Sequence, residues 1–358
     1  MRAFVITGPG RAEVQEVDPP VAGPDEVVVE VERAGVCGTD AEVFSGAMAY
    51  LRTGEARYPV RIGHEWAGTV CEVGDGVDPA WLGRRVTGDT MLGCGRCARC
   101  GSGRQHLCAD RYEIGIRHGW PGALAERLPV PVRALLPLPD TVDPALGALV
   151  EQGGNALRAV QAAALAPGER LLVIGPGTIG LLAALMAAAQ GVEVHLLGVT
   201  ERSLAFARSL GFTRTWTSPP PPDEGTGKGG VGLERGGVGL GDSLRFDAVI
   251  DASNGAGSPA LALDLVEPGR HVVFIGLSAE PSRLDTRRMV LKDVTAVGVL
   301  SASGGLAGTA DLYASRQVDP RPLIAAAVAL GEAAAVLAGE RRPEWGDAPK
   351  IHVDPRLL

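Results

Sequence analysis

Arg170-Leu-Leu-Val-Ile-Gly-Pro-Gly-Thr-Ile-Gly180, continued by Leu181-Leu-Ala-Ala-Leu-Met-Ala-Ala-Ala-Gln-Gly191, is the stretch that decides the fold. Its short apolar run suits a buried parallel strand, and the Ala/Leu-rich continuation suits a helix. Between them Gly175, Gly177 and Gly180 stand at the spacing G-x-G-x-x-G. In a strand–turn–helix setting these glycines permit a tight turn, the approach of a pyrophosphate and close helix-to-strand packing. The helix N-terminus adds unsatisfied N–H donors and a favourable dipole. Gly175, Pro176, Gly177, Thr178, Ile179 and Gly180 therefore form the candidate phosphate-binding turn.

The next strand, Val192–Leu197, runs into Gly198, where a site built for a free ribose 2′-hydroxyl would place Asp or Glu. Without that carboxylate there is room for a 2′-phosphate, and Thr200, Arg202 and Ser203 follow to hydrogen-bond or neutralise it. The cofactor reading thus leans to NADP, while Glu201 is the residue that would serve NAD. Further on, Phe246–Ile250, His271–Ile275 and Val294–Val299 are apolar runs alternating with helical patterns, which is how a doubly wound parallel sheet is written. The stretch 218–242 interrupts this pattern with prolines and then glycines, Gly-Gly-Val-Gly-Leu occurring at 229–233 and again at 236–240. It has no means of building a core and reads as a flexible surface insertion. Lys228 is followed by Gly229, so it is no phosphate loop of the G-K-[ST] kind.

A chain of 358 residues holds about two domains at roughly 150 residues each. Its hydrophobic content of 46% is enough to build cores and excludes disorder over most of the length. The net charge of −8 argues against a nucleic-acid surface and for a small-molecule partner. No apolar stretch reaches the roughly 20 residues of a membrane helix. The start, MRAFVITGPG, lacks the apolar core of a secretory signal, so a cytoplasmic protein is expected.

Four of the six cysteines crowd into Cys94-Gly-Arg-Cys97-Ala-Arg-Cys100 and Cys108. In a long chain of a reducing compartment such a cluster is better suited to metal than to disulfides. Four thiolates satisfy a tetrahedral zinc and leave no open position, so this zinc is expected to be structural and to hold a small lobe together. A zinc ribbon binding nucleic acid through Arg96, Arg99, Arg104 and Arg111 is the competing reading, and neither the whole-chain charge nor the glycine turn serves it. Upstream and downstream, Gly35-Val-Cys37-Gly-Thr39-Asp40, Gly63-His64-Glu65 and Val150-Glu151-Gln152 offer thiolate, imidazole and carboxylate groups. Three protein ligands and one open position make a catalytic zinc site. Cys71, in a strand-like Thr69-Val-Cys-Glu-Val, reads as core filling.

The succession GVCGTD, GHEWAGTVCEVGDGV, CGRCARCGSGRQHLC and GPGTIG resembles the zinc-dependent medium-chain alcohol and polyol dehydrogenases, and the likeness extends to DAPKIHVDP near the C-terminus. The resemblance implies an α/β protein with a discontinuous, GroES-like β-rich catalytic domain and a Rossmann doubly wound cofactor domain. Its expected boundaries are 1–157 for the first part with a zinc lobe at about 90–112, then 158–299 for the cofactor domain, and 300–358 for the return to the catalytic domain. It implies two zinc ions per chain. Cys37, His64 and Glu151 would bind the catalytic ion, with Glu65 beside it and able to exchange onto it. Cys94, Cys97, Cys100 and Cys108 would bind the structural one. The family's Glu-Pro-Leu-Ala is Glu151-Gln152-Gly153-Gly154 here, so Glu151 and Gln152 are alternatives at the metal.

Thr39 matches a hydroxyl residue that starts a proton relay from the substrate, and Glu42 and Phe44 replace the histidine and aromatic many relatives carry beyond it. The segment Phe44–Pro59, with Tyr50, Arg52, Glu55 and Arg57, is a candidate substrate wall, with Glu55 read as a solvated charge. The expected reaction passes hydride between a secondary alcohol of the polyol, sugar or cyclitol class and NAD(P), giving a ketone or lactone, in a homodimer or homotetramer. A zinc-independent reductase keeping only the structural zinc, or a non-catalytic dinucleotide-binding protein, are the alternatives.

Overall fold

Alternating apolar patterning along two kinds of segment produces two compact units, here described from a computed structural model covering residues 1–221 and 244–357. Residues 222–242 of the expected insertion lie outside the described residues. One unit comprises Met1–Asn155 with Ser301–Leu358, and the other Ala156–Leu300.

In the first unit a seven-stranded sheet is built around Glu26–Val36, whose Val27, Val28, Val29 and Val31 are fully buried. On one side it pairs antiparallel with Glu65–Val73, with Gly35 opposite Glu65 and Ala34 opposite Trp66. On the other side it pairs antiparallel with Lys350–Val353, with His352 opposite Gly35 and Ile351 opposite Val36. Three distant stretches of sequence thus end at one corner of one sheet. The core behind it gathers Phe4, Ile6, Val29, Trp66, Leu124 and Leu128. Strand alternation also corrects one expectation. Val70 is buried and Cys71, one residue on, is exposed, its thiol donating to Val28 O at 3.4 Å.

The second unit is a six-stranded sheet, all parallel, with Thr215–Trp216, Glu193–Leu197, Arg170–Ile174, Phe246–Asp251, Val266–Phe274 and Thr295–Gly298 in that spatial order. Numbered along the chain the order is 3-2-1-4-5-6, the doubly wound arrangement that reverses direction beside the first strand. That strand is Arg170–Ile174, and the glycine turn leaves its carboxyl end. Leu172, Ile174, Phe246, Val249 and Val272 form the core. No helix among the described residues is long and apolar enough to cross a membrane.

Candidate active site and metal centres

Cys37 follows directly on the central strand and caps the helix Gly38–Ser45. The cap is reciprocal: Cys37 N–H donates to Asp40 Oδ2 at 3.0 Å, as in a capping box. Because the neighbouring strand starts at Glu65, the antiparallel register brings His64 to the same corner. His64 Nε2 lies 3.3 Å from Cys37 Sγ. Cys37, His64 and Glu65 offer ligand atoms that all fall within 4.8 Å of one another. A tetrahedral zinc with ordinary Zn–S and Zn–N bonds separates such atoms by about 3.6 Å, so the pair fits the ion.

The rest of the corner tunes these groups. Asp40, buried at the helix start, accepts from Gly63 N–H at 3.2 Å and lies 3.6 Å from His64 Nδ1. It faces the ring nitrogen opposite the one nearest Cys37, at a distance beyond a hydrogen bond, and Nδ1 has no hydrogen-bond partner among the described residues. Burial alone would lower the His64 pKa, but Cys37 and Asp40 hold it well above its ordinary value. Burial raises the Cys37 thiol, partly offset by His64. Thr39 is the second residue of the same helix and half-buried, while Glu42 faces outward and is exposed.

Glu65 is not free to bind at will. Lys350, arriving on the C-terminal strand and buried, donates to Glu65 Oε2 at 2.7 Å, to Oε1 at 3.0 Å and to Val36 O at 3.0 Å. Glu151 stands at the head of the helix Val150–Ala163, accepting from Asn155 Nδ2 at 2.8 Å. It is not one of the three groups that close to 4.8 Å. Burial pushes its pKa up to about 7; His64 opposes the rise, while Glu65 reinforces it. Gln152 is buried with both amide atoms lacking a hydrogen-bond partner among the described residues. Asp40 and Lys350 were missed as site residues from sequence. The C-x-x-D capping spacing was a usable signal for the first, whereas nothing local marks Lys350, some 285 residues from Glu65.

The four-cysteine lobe is assembled by short elements. A strand pair, Met91–Leu92 with Tyr112–Glu113, closes its base, and the turns Ala98–Gly101 and Gln105–Leu107 carry the thiols round. All four sulfur atoms lie within 4.8 Å of one another. Cys97 Sγ is 3.6 Å from Cys100 Sγ and 3.8 Å from Cys108 Sγ, against about 3.8 Å for the edge of a zinc–thiolate tetrahedron. The candidate wall is also polar and ordered by pairing. Tyr50 donates to Glu113 Oε1 at 3.3 Å, Arg111 donates to the same atom at 2.9 Å, and Arg117 lies over the Tyr50 ring and pairs with Glu55. Glu55 is therefore an ion-pair partner rather than a merely solvated charge.

In the second unit each glycine of the turn has a separate duty. Gly175 takes φ +93°, Gly180 lies so close to its predecessor that a Cβ would stand 2.0 Å from Gly175 O, and a Cβ on Gly177 would meet nothing within 4 Å. The flank at Gly177, where the helix Thr178–Ala189 begins, is open, so packing alone does not require glycine there. A Cβ on Gly198 would come within 2.8 Å of the Pro176 ring, so packing as well as ligand chemistry asks for glycine there. Thr200 caps the helix Glu201–Ser209, with its hydroxyl 2.8 Å from that of Ser203, and Glu201 pairs with Arg208. Arg202 lies in the first turn of the same helix.

The chain is similar to known proteins along most of its length. Residues 23–140 match the alcohol dehydrogenase GroES-like domain and residues 178–315 the zinc-binding dehydrogenase domain. An L-threonine 3-dehydrogenase of Saccharopolyspora erythraea is 34% identical over 304 residues, covering 84% of this chain and 83% of its own. The chain belongs to the zinc-dependent medium-chain dehydrogenases. Among solved structures, a protein of Sinorhizobium meliloti described as a candidate zinc-binding dehydrogenase and bound to NADP aligns with TM-score 0.83 at 28% identity, over 99% of both chains. Galactitol-1-phosphate dehydrogenase of Escherichia coli, at 24% identity and TM-score 0.82 over 99% of this chain and 100% of its own, shares the fold. This member of the family is accordingly an alcohol-type dehydrogenase that works with zinc and a nicotinamide cofactor.

Proposed function

We propose that Cys37 and His64, with Glu65 or Glu151 as carboxylate partner, hold a reactive zinc, and that Cys94, Cys97, Cys100 and Cys108 hold a second, structural one. The observation that carries this is the 3.3 Å approach of Cys37 Sγ to His64 Nε2 beside the buried carboxylate of Asp40. When bound, the ion would supply Lewis acidity toward a hydroxyl oxygen, and the nicotinamide would accept the hydride. The chain's own residues do the remainder. Asp40 holds the His64 ring in orientation, and Lys350 restrains Glu65. The Thr39 hydroxyl, which both accepts and donates, passes the substrate proton outward. The backbone N–H groups after Gly177 hold the pyrophosphate.

The substrate we infer is a polar secondary alcohol of the polyol, sugar or cyclitol class, oxidised to a ketone or lactone. The paired wall of Tyr50, Arg111, Glu113, Arg117 and Glu55 supports it, since such a wall suits a hydroxylated ligand better than an alkyl one. The relative from Saccharopolyspora erythraea points to a further polar secondary alcohol, that of L-threonine. NADP is favoured over NAD. Gly198 contributes no carboxylate, Glu201 is engaged by Arg208, and the Thr200 and Ser203 hydroxyls stand together. Free thiols at all six cysteines agree with a cytoplasmic setting. The exposed edge strand Thr295–Gly298 supports a homodimer formed by strand addition, or a homotetramer built from such pairs.

The test is a screen of sugars, inositols, aminocyclitols and L-threonine for NAD(P)H formation, with zinc counted on the same sample. Two zinc ions per chain and turnover lost in Cys37→Ala, its fold intact, are expected. One zinc per chain with Cys37→Ala still active would establish the zinc-independent reductase instead. A kcat/KM for NAD ten-fold or more above that for NADP would reverse the cofactor preference.

A further inference from the structure

Asp89 follows the strand Arg85–Gly88, is 5% exposed and belongs to neither metal-fitting cluster. Its carboxylate collects donors from three parts of the first unit: Gln105 Nε2 at 2.8 Å, the Ser303 hydroxyl at 3.0 Å and Met91 N–H at 2.9 Å. Gln105 lies in the cysteine lobe between Cys100 and Cys108, packed so closely that a Cβ on Gly93 would meet Cys100 Sγ at 2.7 Å and Gln105 Cβ at 2.8 Å. Ser303 opens the segment that returns to this unit. That segment lies hard against the helix carrying Glu151, since a Cβ on Gly305 would reach Gly154 O at 2.2 Å and one on Gly154 would reach Ala302 Cβ at 2.9 Å. Thr90, the next residue, donates to His64 O at 3.1 Å.

A contiguous line of contacts therefore leads from the cysteine lobe through Gln105, Asp89 and Ser303 to Gly154 and the Glu151 helix. The unusual Gly153-Gly154 pair is what admits this approach: a Cβ on Gly153 would stand 2.3 Å from Tyr313 Oη. A buried carboxylate satisfied by three donors has one low-energy arrangement, and withdrawing any donor leaves acceptor capacity stranded in a low-dielectric site.

We propose that Asp89 is a positioning residue through which the four-cysteine lobe sets the placement of the Glu151 helix, so that disturbance of the lobe reaches the reactive cluster as well as lowering stability. The catalytic part rests on the proposed role of Glu151 as carboxylate partner to Cys37 and His64; the coupling itself does not.

The test is a double-mutant cycle on the full-length, zinc-loaded protein, read by hydrogen exchange of the Gly305 amide, which donates to Ala302 O at 2.7 Å. Gln105→Leu cuts the lobe side and Ser303→Ala the returning side. Each is expected to speed exchange at Gly305 about ten-fold, and the double variant no further than either alone, because both act through one carboxylate. Asp89→Ala should match the double variant. Asp89→Asn should stay within about three-fold of wild type, since a flipped Gln105 amide can accept from the new amide. Should Asp89→Ala fail to fold, the Gln105–Ser303 cycle decides. Exchange at Gly305 unchanged in Gln105→Leu, or multiplicative effects in the double variant, would overturn the coupling even if the enzyme oxidises alcohols. Non-additive exchange in a protein that oxidises no alcohol would leave the coupling standing and remove the Proposed function.

Discussion

Lys350 and Glu65 show how much of this site is settled by single buried charges. Both side chains are nearly inaccessible, and a pair of that kind stabilises little, since desolvation offsets most of the attraction. Its effect is directional: with two oxygens held by Lys350, Glu65 is restrained to one side of the corner, and in the proposed zinc site an ion would have to compete with that ammonium for Glu65. His352, two residues along the same strand, is a different case. It is fully buried, both ring nitrogens lack partners among the described residues, and burial, aided by Lys350 and Arg33, lowers its pKa to about 3. The unfolded chain takes up that proton near pH 6.5 while the folded one stays neutral, so stability present above about pH 6.5 is lost progressively as pH falls toward 3. The slope is about 1.4 kcal/mol per pH unit for one proton. Replacing His352 by Leu should therefore shrink the stability loss between pH 6.5 and 4.5 by roughly 2–3 kcal/mol, measured by urea unfolding at each pH. Parallel pH profiles for the two proteins would show that His352 is not the group responsible. None of this is visible locally: His352 stands in the short strand Lys350–Val353, and its burial comes from the sheet around it.

At the scale of elements, the glycine turn sets a packed glycine and an open one within six residues. Gly180 is packed against Gly175 O, whereas Gly177 faces open space. Gly180→Ala is expected to cost about 1–3 kcal/mol through forced displacement of helix from strand. Gly177→Ala should leave the unfolding midpoint near wild type while weakening dinucleotide binding at least ten-fold, because its methyl occupies the approach of the pyrophosphate. Calorimetric titration with NADPH and NADH beside thermal unfolding checks both, and equal loss of stability in the two variants would refute the division of roles. This element was legible in advance, since strand, turn and helix are contiguous and each residue's duty follows from local geometry. The packing around Glu151 was not. The expected Glu-Pro-Leu-Ala run is replaced by Glu-Gln-Gly-Gly, and the C-terminal part of the chain packs onto those glycines, Thr309 and Tyr313 against Gly153 and Ala302 against Gly154.

For the whole molecule, the parallel sheet ends in a strand whose Thr295, Ala296 and Gly298 are exposed, next to Val290 at 78%, Leu291 at 68% and Leu300 at 50% exposure. A bare apolar edge is a liability unless it is covered. A second copy meeting it edge to edge would extend both sheets and bury those side chains together. Sedimentation should accordingly find a dimer at micromolar concentration, and Leu291→Glu combined with Leu300→Glu should weaken it ten-fold or more; a monomeric wild type under those conditions would exclude the arrangement.

What the amino-acid order determined alone was everything carried by short spacing: the four-cysteine cluster, the glycine turn between strand and helix, the alternation that makes a doubly wound sheet, and Cys37 and His64 as candidates through their flanking residues. Tertiary structure decided the rest. It placed Lys350 on Glu65, Asp40 behind His64, Asp89 between the lobe and the returning segment, and Cys71 outside rather than within. The physical reason is that ligand spacing, capping and strand periodicity are properties of neighbours along the chain, whereas the partner of a buried charge is whichever donor the sheet register carries to it, and that register is set by cooperative packing over hundreds of residues.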